Sequence, residues 1–141
     1  MAFNILIVDD SMSMRAVIKK IISLSGFKVD EFCEAQNGKE ALEVLSRQWI
    51  DLVLSDINMP VMNGIEMLRE LKKDDLFKEI PVIFVTTEGS KERIEEAIEA
   101  GASGFLKKPF LPEELRSLLS KIVGLDAEGK YIPAADEETD F

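Results

Sequence analysis

Four places along the chain carry side chains whose chemistries complement one another: the acidic pair Asp9-Asp10, the acid Asp56, the hydroxyl of Thr86 and the amine of Lys108. Three acids against one amine leave a net charge of −2 if they meet. Two carboxylates about 4 Å apart repel by roughly 4 kcal/mol at an effective dielectric near 20. Such a cluster therefore calls for a divalent cation, and an all-oxygen donor set suits Mg²⁺, with Mn²⁺ able to substitute. Mg²⁺ retains waters and commonly shares its shell with one or two carboxylates and a phosphate. The chemistry this predicts is phosphoryl transfer. Asp56 is the natural nucleophile, since a carboxylate can form an aspartyl-phosphate. Thr86 and Lys108 would hold other phosphoryl oxygens.

For these side chains to meet, strands must bring them together. Residues 5–8, 52–54 and 82–85 are short apolar runs rich in β-branched residues, without polar alternation. That pattern predicts strands buried on both faces, as in a parallel sheet. Two weaker strands fit residues 29–34 and 104–106. Helical periods fall between them: Met14, Val17, Ile18, Ile21 and Ile22, closed by Gly26; then Ala41, Leu42 and Leu45; then Ile65, Leu68 and Leu71. Ile94, Ala97 and Ile98 mark a fourth helix, with Ser90 as N-cap and Gly101 at its end. Leu115, Leu118, Leu119 and Ile122 mark a fifth, with Pro112 in its first turn. Five βα units imply an α/β, doubly wound (βα)5 domain with right-handed crossovers and helices on both faces. Ligands of such sheets bind beyond the carboxyl ends of the strands, which is where Asp9-Asp10, Asp56, Thr86 and Lys108 fall. No Walker-type or dinucleotide glycine loop competes for that role.

The 141 residues suggest one domain, residues 1–123, followed by a flexible tail over 124–141. The net charge is −10, and the tail contributes six acids and one base to it. That balance argues against nucleic acid and against anionic membrane surfaces as partners. There is no histidine, which removes His-based catalysis and His-ligated metals, and one cysteine, Cys33, which excludes an intrachain disulfide. No signal peptide or transmembrane run is apparent, so a cytoplasmic, monomeric protein is expected.

The segments Ile5-Leu6-Ile7-Val8-Asp9-Asp10-Ser11, Asp56-Ile57-Asn58-Met59-Pro60 with Gly64, Thr86-Thr87-Glu88 and Phe105-Leu106-Lys107-Lys108-Pro109-Phe110 resemble the receiver domains of two-component response regulators of the CheY-like, chemotaxis type. The resemblance spans about residues 3–123. It implies a flavodoxin-like sheet of order 2-1-3-4-5. It implies that Asp56 is the phosphoacceptor for a histidine kinase. It further implies Mg²⁺ held by Asp10 and Asp56, by the backbone carbonyl of Asn58, and by Asp9 through water. Thr86 and Phe105 would be the switch pair, Lys108 the phosphate-sensing amine, and Asn58 and Glu88 the positions that tune dephosphorylation. The Lys108–Pro109 peptide would be cis, and the output surface would be the fourth helix, fifth strand and fifth helix. Beside the stand-alone receiver stand two alternatives: a receiver cut from a longer regulator, and a small Mg²⁺-dependent phosphohydrolase. Such hydrolases want an Asp-x-Asp, but Asn58 takes the second acid's place.

Bland roles are assigned to several neighbours. Thr87 is read as a strand-end cap, Lys107 as solvated surface, Phe110 as core and Cys33 as a packed residue. The charged residues 91–99 are read either as a solvated helix face or as a docking face.

Overall fold

The computed structural model describes residues 3–87 and 90–123. Ten elements alternate: β1 (Phe3–Val8), α1 (Met12–Leu24), β2 (Val29–Ala35), α2 (Gly38–Arg47), β3 (Leu52–Ser55), α3 (Gly64–Lys72), β4 (Val82–Thr86), α4 (Lys91–Ala100), β5 (Gly104–Lys107) and α5 (Pro112–Val123). The five strands form one sheet of order β2-β1-β3-β4-β5, and every neighbouring pair is parallel. This is the expected doubly wound architecture.

The absence of polar alternation over residues 5–8, 52–54 and 82–85, in β1, β3 and β4, has a direct cause. Successive side chains of a strand point to opposite faces, and both faces here are covered. Leu6, Val8, Val53, Val82 and Phe84 enter one core with α2, α3 and α4. Ile5, Ile7, Leu52, Leu54, Ile83 and Val85 enter the other with α1 and α5. Each fully buried side chain of this kind stabilises by roughly 1.5–3 kcal/mol.

The helices begin where their caps stand. The Ser11 side chain accepts from the Met14 amide, Asn37 from Glu40, and Ser90 from Arg93. Asn63 and Glu66 form a reciprocal capping box at α3. Gly101 ends α4 at φ 108°, a left-handed conformation that suits glycine.

Two helix faces differ from the periodic expectation. In α1 the buried stripe is Arg15, Ile18 and Ile22, while Val17 is 49% exposed. In α4 only Ala97 is buried, and Ile98 is 56% exposed. Periodicity scores apolar residues, so it cannot find a stripe that contains an arginine. Residues 124–141, the expected tail, and Glu88 lie outside the described residues.

Candidate functional site

The chain leaves β1 at Asp9-Asp10 and leaves its neighbour β3, the central strand, at Asp56. The Asp56 amide donates to the carbonyl of Val8 at 2.9 Å, continuing the ladder one step past the strands. The three carboxylates therefore converge, and one oxygen of each of Asp9, Asp10 and Asp56 lies within 4.8 Å of the others. Among the described residues no other group of three or more acidic, His or Cys side chains comes together in this way. Asp9 is 2% exposed, Asp56 half-buried and Asp10 exposed, so the cluster opens to solvent through Asp10.

Lys108, just past β5, reaches back across the sheet edge. Its Nζ donates to Asp9 Oδ2 at 2.9 Å and to Asp56 Oδ2 at 3.3 Å. Burial alone would lower its pKa. The hydrogen bond donated to Asp9 and the negative charges of Asp56 and Asp9 outweigh that and hold the ammonium above its ordinary value. Lys108 is thus a fixed positive charge. Its amide also donates to the Thr86 carbonyl at 2.9 Å, which ties the ends of β4 and β5 together. The Lys108–Pro109 peptide is cis, as expected.

The remaining oxygens are held by the main chain. Asp9 Oδ1 accepts from the Ser11 amide at 2.9 Å, and Asp56 Oδ1 from the Ile57 amide at 2.7 Å. Behind Asp56, the first residue of α3 is Gly64, whose amide donates to the Ile57 carbonyl at 2.8 Å. A Cβ at Gly64 would collide with the Asp56 carbonyl oxygen and come within 2.7 Å of the Phe84 ring. The α3 terminus can approach the acid's backbone only because this residue is glycine.

Thr86 is the last residue of β4 and is 3% exposed. Phe105 lies on β5, half-buried, with its ring centroid 5.9 Å from that of Phe84. Asn58 is exposed in the loop after Asp56. The structure thus brings Asp9, Asp10, Asp56 and Lys108 to one point and places Thr86 on the neighbouring strand end. Thr87 and Lys107 are exposed, Phe110 is buried, and Cys33 is buried with its thiol donating to Gln48 Oε1 at 3.0 Å.

An all-oxygen group of three carboxylates fits a hard divalent cation. Asp9, Asp10 and Asp56 would hold it, and it would offset their mutual repulsion.

Sequence reading missed two contributors. One is Gly64 as the packing partner of the Asp56 backbone. The other is Arg15, whose guanidinium donates to the Asp9 carbonyl from inside α1. A charged residue three and seven positions before Ile18 and Ile22 was the available signal for Arg15.

Comparison with known proteins bears on this arrangement. The sequence profile of the response regulator receiver domain matches residues 5–120. The chemotaxis protein CheY1 of Helicobacter pylori is 40% identical over 122 residues, covering 86% of this chain and 97% of that protein. The solved structure of the chemotaxis response regulator CheY4 of Vibrio cholerae superposes with a TM-score of 0.72 at 34% identity, covering 86% of this chain and 99% of that one. The receiver domain of a sensor histidine kinase from Pseudomonas aeruginosa, solved with magnesium coordinated in its active-site cleft, has a TM-score of 0.76 at 27% identity. That match covers 88% of this chain and 99% of the Pseudomonas one.

Proposed function

The chain belongs to the response regulator receiver family, and on that premise we propose that it is a stand-alone, chemotaxis-type switch phosphorylated on Asp56. The observation that carries this reading is the meeting of Asp9, Asp10 and Asp56 within 4.8 Å, with Lys108 bridging Asp9 and Asp56. Mg²⁺ is the proposed ion, supported by the oxygen donor set and by the magnesium in the Pseudomonas relative.

The donor is a phosphohistidine on a histidine kinase. An Asp56 carboxylate oxygen attacks phosphorus, the bond from phosphorus to the imidazole nitrogen breaks, and the imidazole leaves with the electron pair and takes up a proton. When bound, the cation offsets charge on the phosphoryl oxygens. Lys108 already faces Asp56 Oδ2 and would donate to the new oxygens from there. Thr86 then turns its hydroxyl toward the phosphoryl group. Phe105, already against the core beside Phe84, takes up the space released. The exposed surface of α4, β5 and α5 changes with them, and a protein partner binds one state better, which is what shifts the equilibrium.

Asn58 and Glu88 set how fast the aspartyl-phosphate is lost. Residues 1–123 act as the receiver, and residues 124–141 as an acidic appendage. The protein is cytoplasmic and monomeric in this reading. Among the described residues no helix is long and apolar enough to cross a membrane. Multiple turnover on external phosphate esters is not expected, because Asn58 replaces the acid that a phosphohydrolase of this kind uses.

The test is intact-mass analysis after incubation with Mg²⁺ and a small acyl-phosphate donor. Wild type gains one phosphoryl group, and both Asp56→Asn and wild type in EDTA gain none. Equal mass gain in Asp56→Asn would sink the assignment.

A further inference from the structure

Arg15 is the one basic side chain in the buried stripe of α1. Its Nη1 donates to the main-chain carbonyl of Asp9, the bond that joins the two acids of the pair. Its Nε donates to Glu34 Oε1 at 2.8 Å, on the edge strand β2. Its side chain is only 10% exposed. A buried guanidinium needs its charge answered and its donors used, and here Glu34 answers the charge while the Asp9 carbonyl takes a second donor. Lys19 caps the other oxygen of Glu34 from the solvent side, at 2.8 Å, and no bond joins it to Asp9.

Asp9 is therefore held at four points: its amide donates to the Ala35 carbonyl, Lys108 donates to Oδ2, the Ser11 amide to Oδ1, and Arg15 to the carbonyl. Only the last of these acts on the peptide between Asp9 and Asp10. We propose that Arg15, braced by Glu34, is a positioning residue that sets the Asp9-Asp10 backbone so that both carboxylates face the divalent cation. This rests on the metal-dependent reading above and deepens it.

Two physical effects of removing Arg15 have opposite signs. Deleting a positive charge near three carboxylates would, by electrostatics alone, tighten Mg²⁺ binding. Freeing the Asp9-Asp10 peptide would weaken it, as loss of the residues that orient ligands commonly does, by about ten-fold or more.

The experiment is a Mg²⁺ titration of the full chain, without phosphodonor, followed by the amide NMR signals of Asp10 and Ser11. Arg15→Met is expected to raise the Mg²⁺ Kd about ten-fold. Arg15→Lys, which can serve one partner but not both, should fall between it and wild type. Lys19→Met, which strips charge from Glu34 without touching Asp9, should leave the Kd unchanged or lower. In phosphorylation assays, Arg15→Met should raise the Mg²⁺ half-saturation point while leaving that of the phosphodonor unmoved.

An Arg15→Met Kd equal to or below that of wild type overturns the proposal, even if its melting temperature falls, because a purely structural role predicts that combination. Should Arg15→Met fail to fold, the charge-conserving Arg15→Lys decides: a raised Kd supports the brace, and a wild-type Kd overturns it. Failure of wild type itself to bind Mg²⁺ overturns the metal reading and this inference together, so the two failures are told apart.

Discussion

Lys108 Nζ lies 2.9 Å from Asp9 Oδ2, across 99 residues of sequence, and this pair is the most buried ion pair among the described residues. The Lys108 side chain is 11% exposed and that of Asp9 2%. The contact lets three carboxylates coexist at one sheet edge. Removing the amine with Lys108→Met leaves Asp9 with a single side-chain hydrogen bond, from the Ser11 amide. The expected cost in EDTA is about 3 kcal/mol, the scale for breaking one side of a buried pair. Excess Mg²⁺, the proposed ion, should restore part of that, because a cation held by the three carboxylates would bind only the folded state and find one competing cation fewer. Urea unfolding with and without Mg²⁺ measures both, and a variant as stable as wild type in EDTA would contradict the role given to the pair.

Gly64 tests how tightly the backbone of Asp56, the proposed phosphoacceptor, is fixed. A methyl group there meets the Asp56 carbonyl oxygen and the Phe84 ring, neither of which is a flexible side-chain end. Gly64→Ala should therefore destabilise by about 2–3 kcal/mol, in the range of overpacking a filled core. Because the clash falls on Asp56 itself, phosphorylation should slow even where the protein stays folded. Chemical denaturation and initial rates with an acyl-phosphate donor read the two effects separately.

Val61, in the loop from Asp56 to α3, carries the opposite expectation. Its φ is +69°, and the Met62 amide donates to the Pro60 carbonyl at 2.7 Å, so Val61 is the centre of a tight three-residue turn. A β-branched residue rarely adopts that conformation, and the strain is of order 1–3 kcal/mol. The side chain is 77% exposed and has little packing to lose. Val61→Gly should stabilise by about 1 kcal/mol after the greater chain entropy of unfolded glycine is set against the strain. Thermal unfolding that shows a lower midpoint would refute it.

Much of the site was legible because two rules met in the same residues. Runs such as Leu52-Val53-Leu54 mark strands covered on both sides, and the strand-end rule then points to whatever follows, here Asp56 and Lys108. Arg15 and Val17 were not legible in the same way. The helix period locates a buried face by its apolar members, and in α1 a valine lies half outside while an arginine lies inside, paired with Glu34 from another strand. Only the folded chain brings Glu34 to it. The turn at Val61 was hidden for a related reason: its backbone is imposed by the join of Asp56 to the Asn63 cap of α3, and the preference of valine runs against it.

The pH dependence of Glu34 follows from its partners. The Lys19 ammonium and the Arg15 guanidinium both hydrogen-bond to it and hold its carboxyl below the ordinary value of 4.5. A carboxyl depressed in the folded state contributes stability that is present in full above its unfolded pKa and is lost as pH falls through the folded one. The carboxyl is about one-third exposed, 36% on the side chain, so solvent screening limits the contribution to roughly 0.5–1 kcal/mol at neutral pH. Glu34→Gln should therefore be less stable than wild type at pH 7 by that amount. The gap should persist down to about pH 4.5 and narrow below it, as wild type takes up the proton that glutamine cannot. Urea unfolding of both proteins at several pH values checks this. A gap that widens below pH 4.5 would mean that Glu34 gains stability on protonation, and the ion pair would not be what holds Arg15 against the Asp9 carbonyl.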